Sequence, residues 1–114
     1  VASNYMVVLA EMASTMLTAC GLEPHTANEA LSGLVRGTLD NVSQMGPVEA
    51  LTGPIQRGDI EVVLSHILAL RSLGDKSLIS LYSALGLRAC ELARLQGSVD
   101  AERLSSVEAL LRRG

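Results

Sequence analysis

The sequence predicts an all-α fold, a bundle of about five main helices, and three observations carry that prediction. Apolar residues make up 48% of the chain but aromatics only 2%, with no Phe or Trp, so the core has to be built from Leu, Val, Ile, Ala and Met. Leu, Ala, Met, Glu and Arg are good helix formers, whereas strands call for β-branched and aromatic runs that are missing here. Stop and start signals (Gly21, Gly46, Gly74 with Asp75, Gly97 with Asp100) recur between stretches of helical apolar spacing. At 114 residues the chain is read as a single helical domain over 1–114, long enough to bury roughly two-thirds of the surface of its unfolded form.

A first helix is expected over 2–20, apolar on nearly all sides and therefore central, ended by Gly21 as a left-handed cap. On it Asn4, Glu11, Thr15 and Thr18 form a polar stripe, read as either a solvated edge or the lining of a polar cleft at the Asn4 end, while Met12 and Met16 read as core. Thr26 with Glu29 fits a capping box for a second helix running to about Met45 and closed by Gly46. Pro47 suits a first helical position, so "PVEAL" reads as one short turn. Asp59 caps a third helix from Ile60 to about Ser72, whose apolar stripe is Ile60, Val63, Leu64, Ile67 and Leu70. A long helix follows from Lys76 to about Gln96, and an amphipathic one runs from about Asp100 to Arg113.

Several function classes are disfavoured. The net charge is −3 and the nine Lys and Arg are scattered, so a phosphate-binding face, and with it nucleic acid, is not expected. Glu11 interrupts the most apolar segment, which falls short of the roughly 20 residues of a membrane span. With no basic leader pattern, a cytoplasmic location is the default, and Cys20 and Cys90 read as reduced, buried thiols. Two histidines, His25 and His66, are too few for a metal site, and there is no nucleophile elbow. His25 reads as solvated and His66 as a hydrogen-bonded histidine at the edge of the apolar stripe. Gly33 and Gly37 share a helix face mid-helix without a preceding strand, which argues against a nucleotide loop. They point instead to a close helix contact, within the chain or across a dimer, at a propensity cost of about 1 kcal/mol each. "RGD", Arg57 to Asp59, is read as coincidence, since Asp59 is needed as a cap.

The one constrained stretch outside the helices is "LTGPIQRGD", Leu51 to Asp59. Gly53 and Gly58 permit backbone conformations that other residues resist and Pro54 fixes its own φ, so Thr52 and Arg57 are held with little ordering left to do on binding. Arg57 paired with Asp59 or another carboxylate, and Thr52 capping a turn, account for the same residues equally well.

This loop, with "VLSHILAL" from Val63 to Leu70, "LYSALGLRACELA" from Leu81 to Ala93, the opening "ASNYMVVLAEMA" and "RGTLDNV" from Arg36 to Val42, resembles the C-terminal helical domain of a family of Rossmann-like oxidoreductases. More distant likeness extends to pyrroline-5-carboxylate reductase and to the 6-phosphogluconate and ketopantoate class of dehydrogenases. The resemblance implies a 6-phosphogluconate dehydrogenase C-terminal-domain-like fold that forms a homodimer and one wall of a small-molecule substrate cleft. It also implies an NAD(P) cofactor held by an N-terminal Rossmann domain, and so a chain that is a C-terminal fragment and inactive alone, with no cofactor-binding residues of its own. In the family pattern a His lies just upstream of the pair matched by Ser3 and Asn4, and this chain starts after it.

On that reading the substrate-binding candidates are Asn4, Thr52, Gly53, Arg57 and His66; no catalytic residue and no metal ligand is assigned. Thr52 and neighbouring N–H groups would donate to a carboxylate or carbonyl, Arg57 would clamp an anion, and Asn4 would orient the reacting group. The competing expectation is a stand-alone helical dimerisation or interaction module without enzymatic activity.

Overall fold

The computed structural model describes residues 1–114. It is all-α: α1 (Ala2–Ala19), α2 (Pro24–Ala50), α3 (Ile60–Ser72), α4 (Lys76–Gln96) and α5 (Ala101–Arg113), with no strand. No helix is long and apolar enough to cross a membrane. The chain divides into two compact units, Val1–Gln44 and Met45–Gly114. The division falls in α2 just before Gly46, whose φ of 82° and ψ of 164° break the helix ahead of Pro47, so the expected stop and the short turn after it are both present.

In the N-terminal unit α1 contains no buried residue. Tyr5, Val7, Val8 and Leu9 are exposed, and Met12 and Met16, expected in the core, are only partly covered. Ala27 at the start of α2 is the one buried side chain of this unit. The expectation of a central first helix is therefore corrected: an apolar surface records which residues avoid water, not which segment covers them. The polar stripe of α1 satisfies itself along the helix, Thr15 donating to Glu11 at 3.0 Å and Thr18 to the Thr15 carbonyl at 2.9 Å. Gly21 turns the chain at φ +97° as predicted. The start of α2 is three residues earlier than the capping box implies. Glu23 accepts from the N–H groups of His25 and Thr26, each at 3.2 Å, with Pro24 at the first helical position, where its missing N–H is harmless. Cys20, read as buried, is exposed.

The C-terminal unit is a packed three-helix arrangement in which α3, α4 and α5 each contact the other two. Its centre is Val63 and Ile67 from α3, Cys90 from α4, and Leu104, Val107 and Leu111 from α5, all almost wholly buried. Burial of a side chain of this size stabilises by about 1.5–3 kcal/mol. Each helix has an aspartate cap. Asp59 accepts from Val62 N–H at 3.2 Å, Asp75 from Ser77 at 2.8 Å and Asp100 from Glu102 at 3.0 Å. The α3 stripe is wider than the core it serves, because Val63, Ile67 and Leu70 are buried while Ile60 and Leu64 remain exposed. At Gly86 a Cβ would meet the Leu111 methyl carbons at 2.9 and 3.0 Å and Ile55 Cδ1 at 3.2 Å, so the missing side chain is what lets α5 and the loop before α3 approach α4. Burial pushes the Cys90 thiol up, and the nearby Glu108 carboxylate adds to it.

Candidate functional site

Between α2 and α3 the chain makes one closed turn. Arg57 N–H donates to Gly53 O at 3.1 Å, Gly58 N–H to Ile55 O at 3.0 Å and Asp59 N–H to Pro54 O at 2.8 Å. Both loop glycines take positive φ, +103° at Gly53 and +66° at Gly58. Gly58 is also pressed against α5, where an added Cβ would sit 2.9 Å from Arg103 Cβ and 3.5 Å from Val99 Cγ2. A side chain there is excluded twice, by conformation and by space.

From behind, the loop is held by the end of α4. Gln96 donates its amide to Val48 O at 2.7 Å and Leu51 O at 2.9 Å, and its carbonyl accepts from Gln56 at 2.9 Å and Ser98 at 3.1 Å. Gln56 also donates to the Ser98 hydroxyl at 3.1 Å. With Ile55 against Gly86, the turn is anchored at three points. None of Gln56, Gln96 or Ser98 stands out in the sequence, because partners some 40 residues apart leave no local pattern.

The outward groups are free. Thr52 and Arg57 are exposed and neither side chain has a hydrogen-bond or ion-pair partner within the chain. The alternative pairing of Arg57 with Asp59 is not formed, since Asp59 is engaged as the α3 cap. The N–H groups of Thr52, Gly53, Ile55 and Gln56 donate to nothing in the chain. Thr52, Gly53 and Arg57 thus lie on one braced turn that offers hydroxyl, amide and guanidinium donors, a set suited to an anion or carbonyl oxygen.

The other candidates stand elsewhere. Asn4 is exposed in the first turn of α1, within the N-terminal unit. His66 is exposed on α3 and its Nδ1 lies 3.1 Å from the Tyr82 hydroxyl of α4, with the rings edge to face. It makes no hydrogen bond to the loop. Burial pushes the Tyr82 phenol up. His25 is solvent-exposed and pairs with Glu29 at 3.1 Å. No three His, Cys, Asp or Glu side chains gather as metal ligands. Gly33 and Gly37 both face open space, so the close helix contact expected of them is not made within the N-terminal unit.

A protein-family model described as "Domain of unknown function (DUF2520)" matches residues 1–89. The match takes in the whole loop and ends within α4, short of the Gln96, Val99 and Arg103 that brace it. No curated protein and no solved structure matches the chain.

Proposed function

The chain belongs to the DUF2520 family, and from that premise we propose that it is the substrate-binding and dimerisation domain of an NAD(P)-dependent oxidoreductase. The observation that carries the reading is the loop, whose Thr52 and Arg57 are exposed and unpartnered while everything behind them is fixed. A solvent-facing Arg with no hydrogen-bond or ion-pair partner in the chain, on a turn braced from behind, suits recognition of a carboxylate. The redox part rests on the resemblance of the loop and helix motifs to Rossmann-like oxidoreductases. The nicotinamide cofactor would then be held by a Rossmann domain and not by these helices. The dimer part rests on α1, an apolar helix with no buried residue, and on the open Gly33 and Gly37 face of α2, which a second copy would cover.

The test of the site is a titration with acetate, the smallest carboxylate, followed by amide resonances of the loop. Shifts confined to residues 52–58 in the wild type and lost in Arg57→Ala, with thermal stability unchanged, are expected. An unresponsive loop removes it as a carboxylate site and leaves the stand-alone dimerisation module as the better reading.

A further inference from the structure

The two candidate binding side chains of the loop, those of Thr52 and Arg57, share a feature with no counterpart at Asn4 or His66: the residue just before each of them is held by the same side chain. Gln96 takes the carbonyl of Leu51, next to Thr52, and the side chain of Gln56, next to Arg57. We propose that Gln96, at the last turn of α4, is the positioning residue of this site, setting the direction in which both Thr52 and Arg57 leave the loop. The proposal rests on the loop being a binding site, as read above.

The chemistry asks for a primary amide. Two carbonyl oxygens, Val48 O and Leu51 O, require two donors, and Gln56 Nε2 and Ser98 Oγ require an acceptor. A Gln side chain has two N–H donors and two carbonyl lone pairs on one plane, and here all four are used. The two carbonyls fix which end of the amide is the nitrogen. A leucine of similar size would leave both carbonyls without a donor. A glutamate would still accept from Gln56 and Ser98 but would set a carboxylate against two carbonyl oxygens. That repulsion raises the pKa of the introduced carboxyl, and protonation returns one of the two donors. The charged groups nearest in sequence to the residues meeting there are Glu49, Arg57, Asp59, Arg94, Asp100 and Glu102; Arg103 packs against Gly58, and the histidines of the adjoining helices are His25 on α2 and His66 on α3. Histidine is the side chain that ordinarily changes charge between about pH 5 and pH 8, and the wild type carries the same two, so a transition seen in Gln96→Glu and absent from the wild type belongs to the introduced group.

The experiment compares full-length wild type, Gln96→Glu and Gln96→Leu by the amide resonances of Gly53 and Gly58 between about pH 8 and about pH 5. Both glycine signals are expected to move in Gln96→Glu at neutral pH and to return part of the way on acidification. In Gln96→Leu they are expected to stay displaced at every pH, and in the wild type to stay fixed. Wild-type positions in Gln96→Glu at neutral pH, or a displacement with the same flat pH response in both variants, would overturn the positioning role. If Gln96→Glu does not fold, Gln56→Ala reads the same loop from its other side: a displaced Gly58 with an intact α3–α5 core supports the role, and an undisplaced one overturns it. Wild-type acetate binding is scored separately. Absence of acetate shifts sinks the binding reading, while an unmoved loop in the Gln96 variants sinks this inference alone.

Discussion

The two halves of the chain treat apolar residues in opposite ways. Met45–Gly114 closes three helices on each other and buries Val63, Ile67, Leu104, Val107 and Leu111 almost completely, whereas Val1–Gln44 has two long helices and buries only Ala27. Composition does not separate them, for α1 is as rich in Val, Leu and Met as any helix of the packed half. What separates them is whether the covering partner lies in the same unit. An isolated helix is marginal in water, because its stability comes mostly from packing an apolar face. A helix such as α1 therefore calls for a surface that its own unit does not supply, and a second copy is the reading favoured here.

The largest effects should fall in the packed half. Leu104→Ala or Ile67→Ala is expected to lower unfolding stability by about 2–5 kcal/mol, through lost transfer energy and the cavity left behind. Leu9→Ala on α1 should change the urea midpoint of the dilute monomer by less than about 0.5 kcal/mol in equivalent stability, as for a surface site. It should instead weaken self-association. An equal loss of monomer stability in Leu9→Ala would erase the contrast between the halves.

Glycines sharpen the same contrast at a smaller scale. Gly86→Ala drives a methyl into Leu111 and is expected to cost about 1–3 kcal/mol, measured by thermal unfolding. Gly33→Ala or Gly37→Ala meets open space in the single chain and should raise its helix stability by up to about 1 kcal/mol. In the proposed dimer the same two substitutions should weaken association if the α2 face is in contact. Glycines that leave association untouched would place the interface elsewhere.

The fold was largely legible in the sequence because helix caps are local. Asp59, Asp75 and Asp100 each announce a helix start a few residues away, and Gly21, Gly46 and Gly97 mark ends where φ turns positive. The start of α2 is less legible, because Thr26 and Glu29 mimic a capping box while Glu23 accepts the N–H groups. Burial was less legible. The periodicity that put Val63 and Ile67 inside also put Ile60, Leu64, Met12 and Met16 there, since helical spacing reports an apolar face without saying how wide a surface covers it. Of the site, the glycines and proline of the loop signalled a constrained turn. Its support from Gln96 and Arg103 arises only when α4 and α5 are packed.

Acid should act weakly, and on both halves. Hydrogen bonds from the Ser77 hydroxyl and N–H hold Asp75 below its ordinary value, the Arg94 side chain does the same for Glu108, and the N–H groups of His25 and Thr26 for Glu23. A lowered folded-state pKa contributes stability above the unfolded value and loses it as pH falls through the folded one. Stability should therefore decline from about pH 5 downward, and Glu108→Gln should flatten part of that slope. A slope unchanged by Glu108→Gln would mean that the Arg94 pair contributes nothing measurable.

In the proposed dimer, α1 and the open face of α2 are covered by a second copy of the chain. Sedimentation equilibrium at micromolar concentration decides whether that copy is there. A species of twice the 12.0 kDa chain mass, shifted toward monomer by Leu9→Ala, is the expected result. A monodisperse 12.0 kDa monomer with α1 still helical would contradict it.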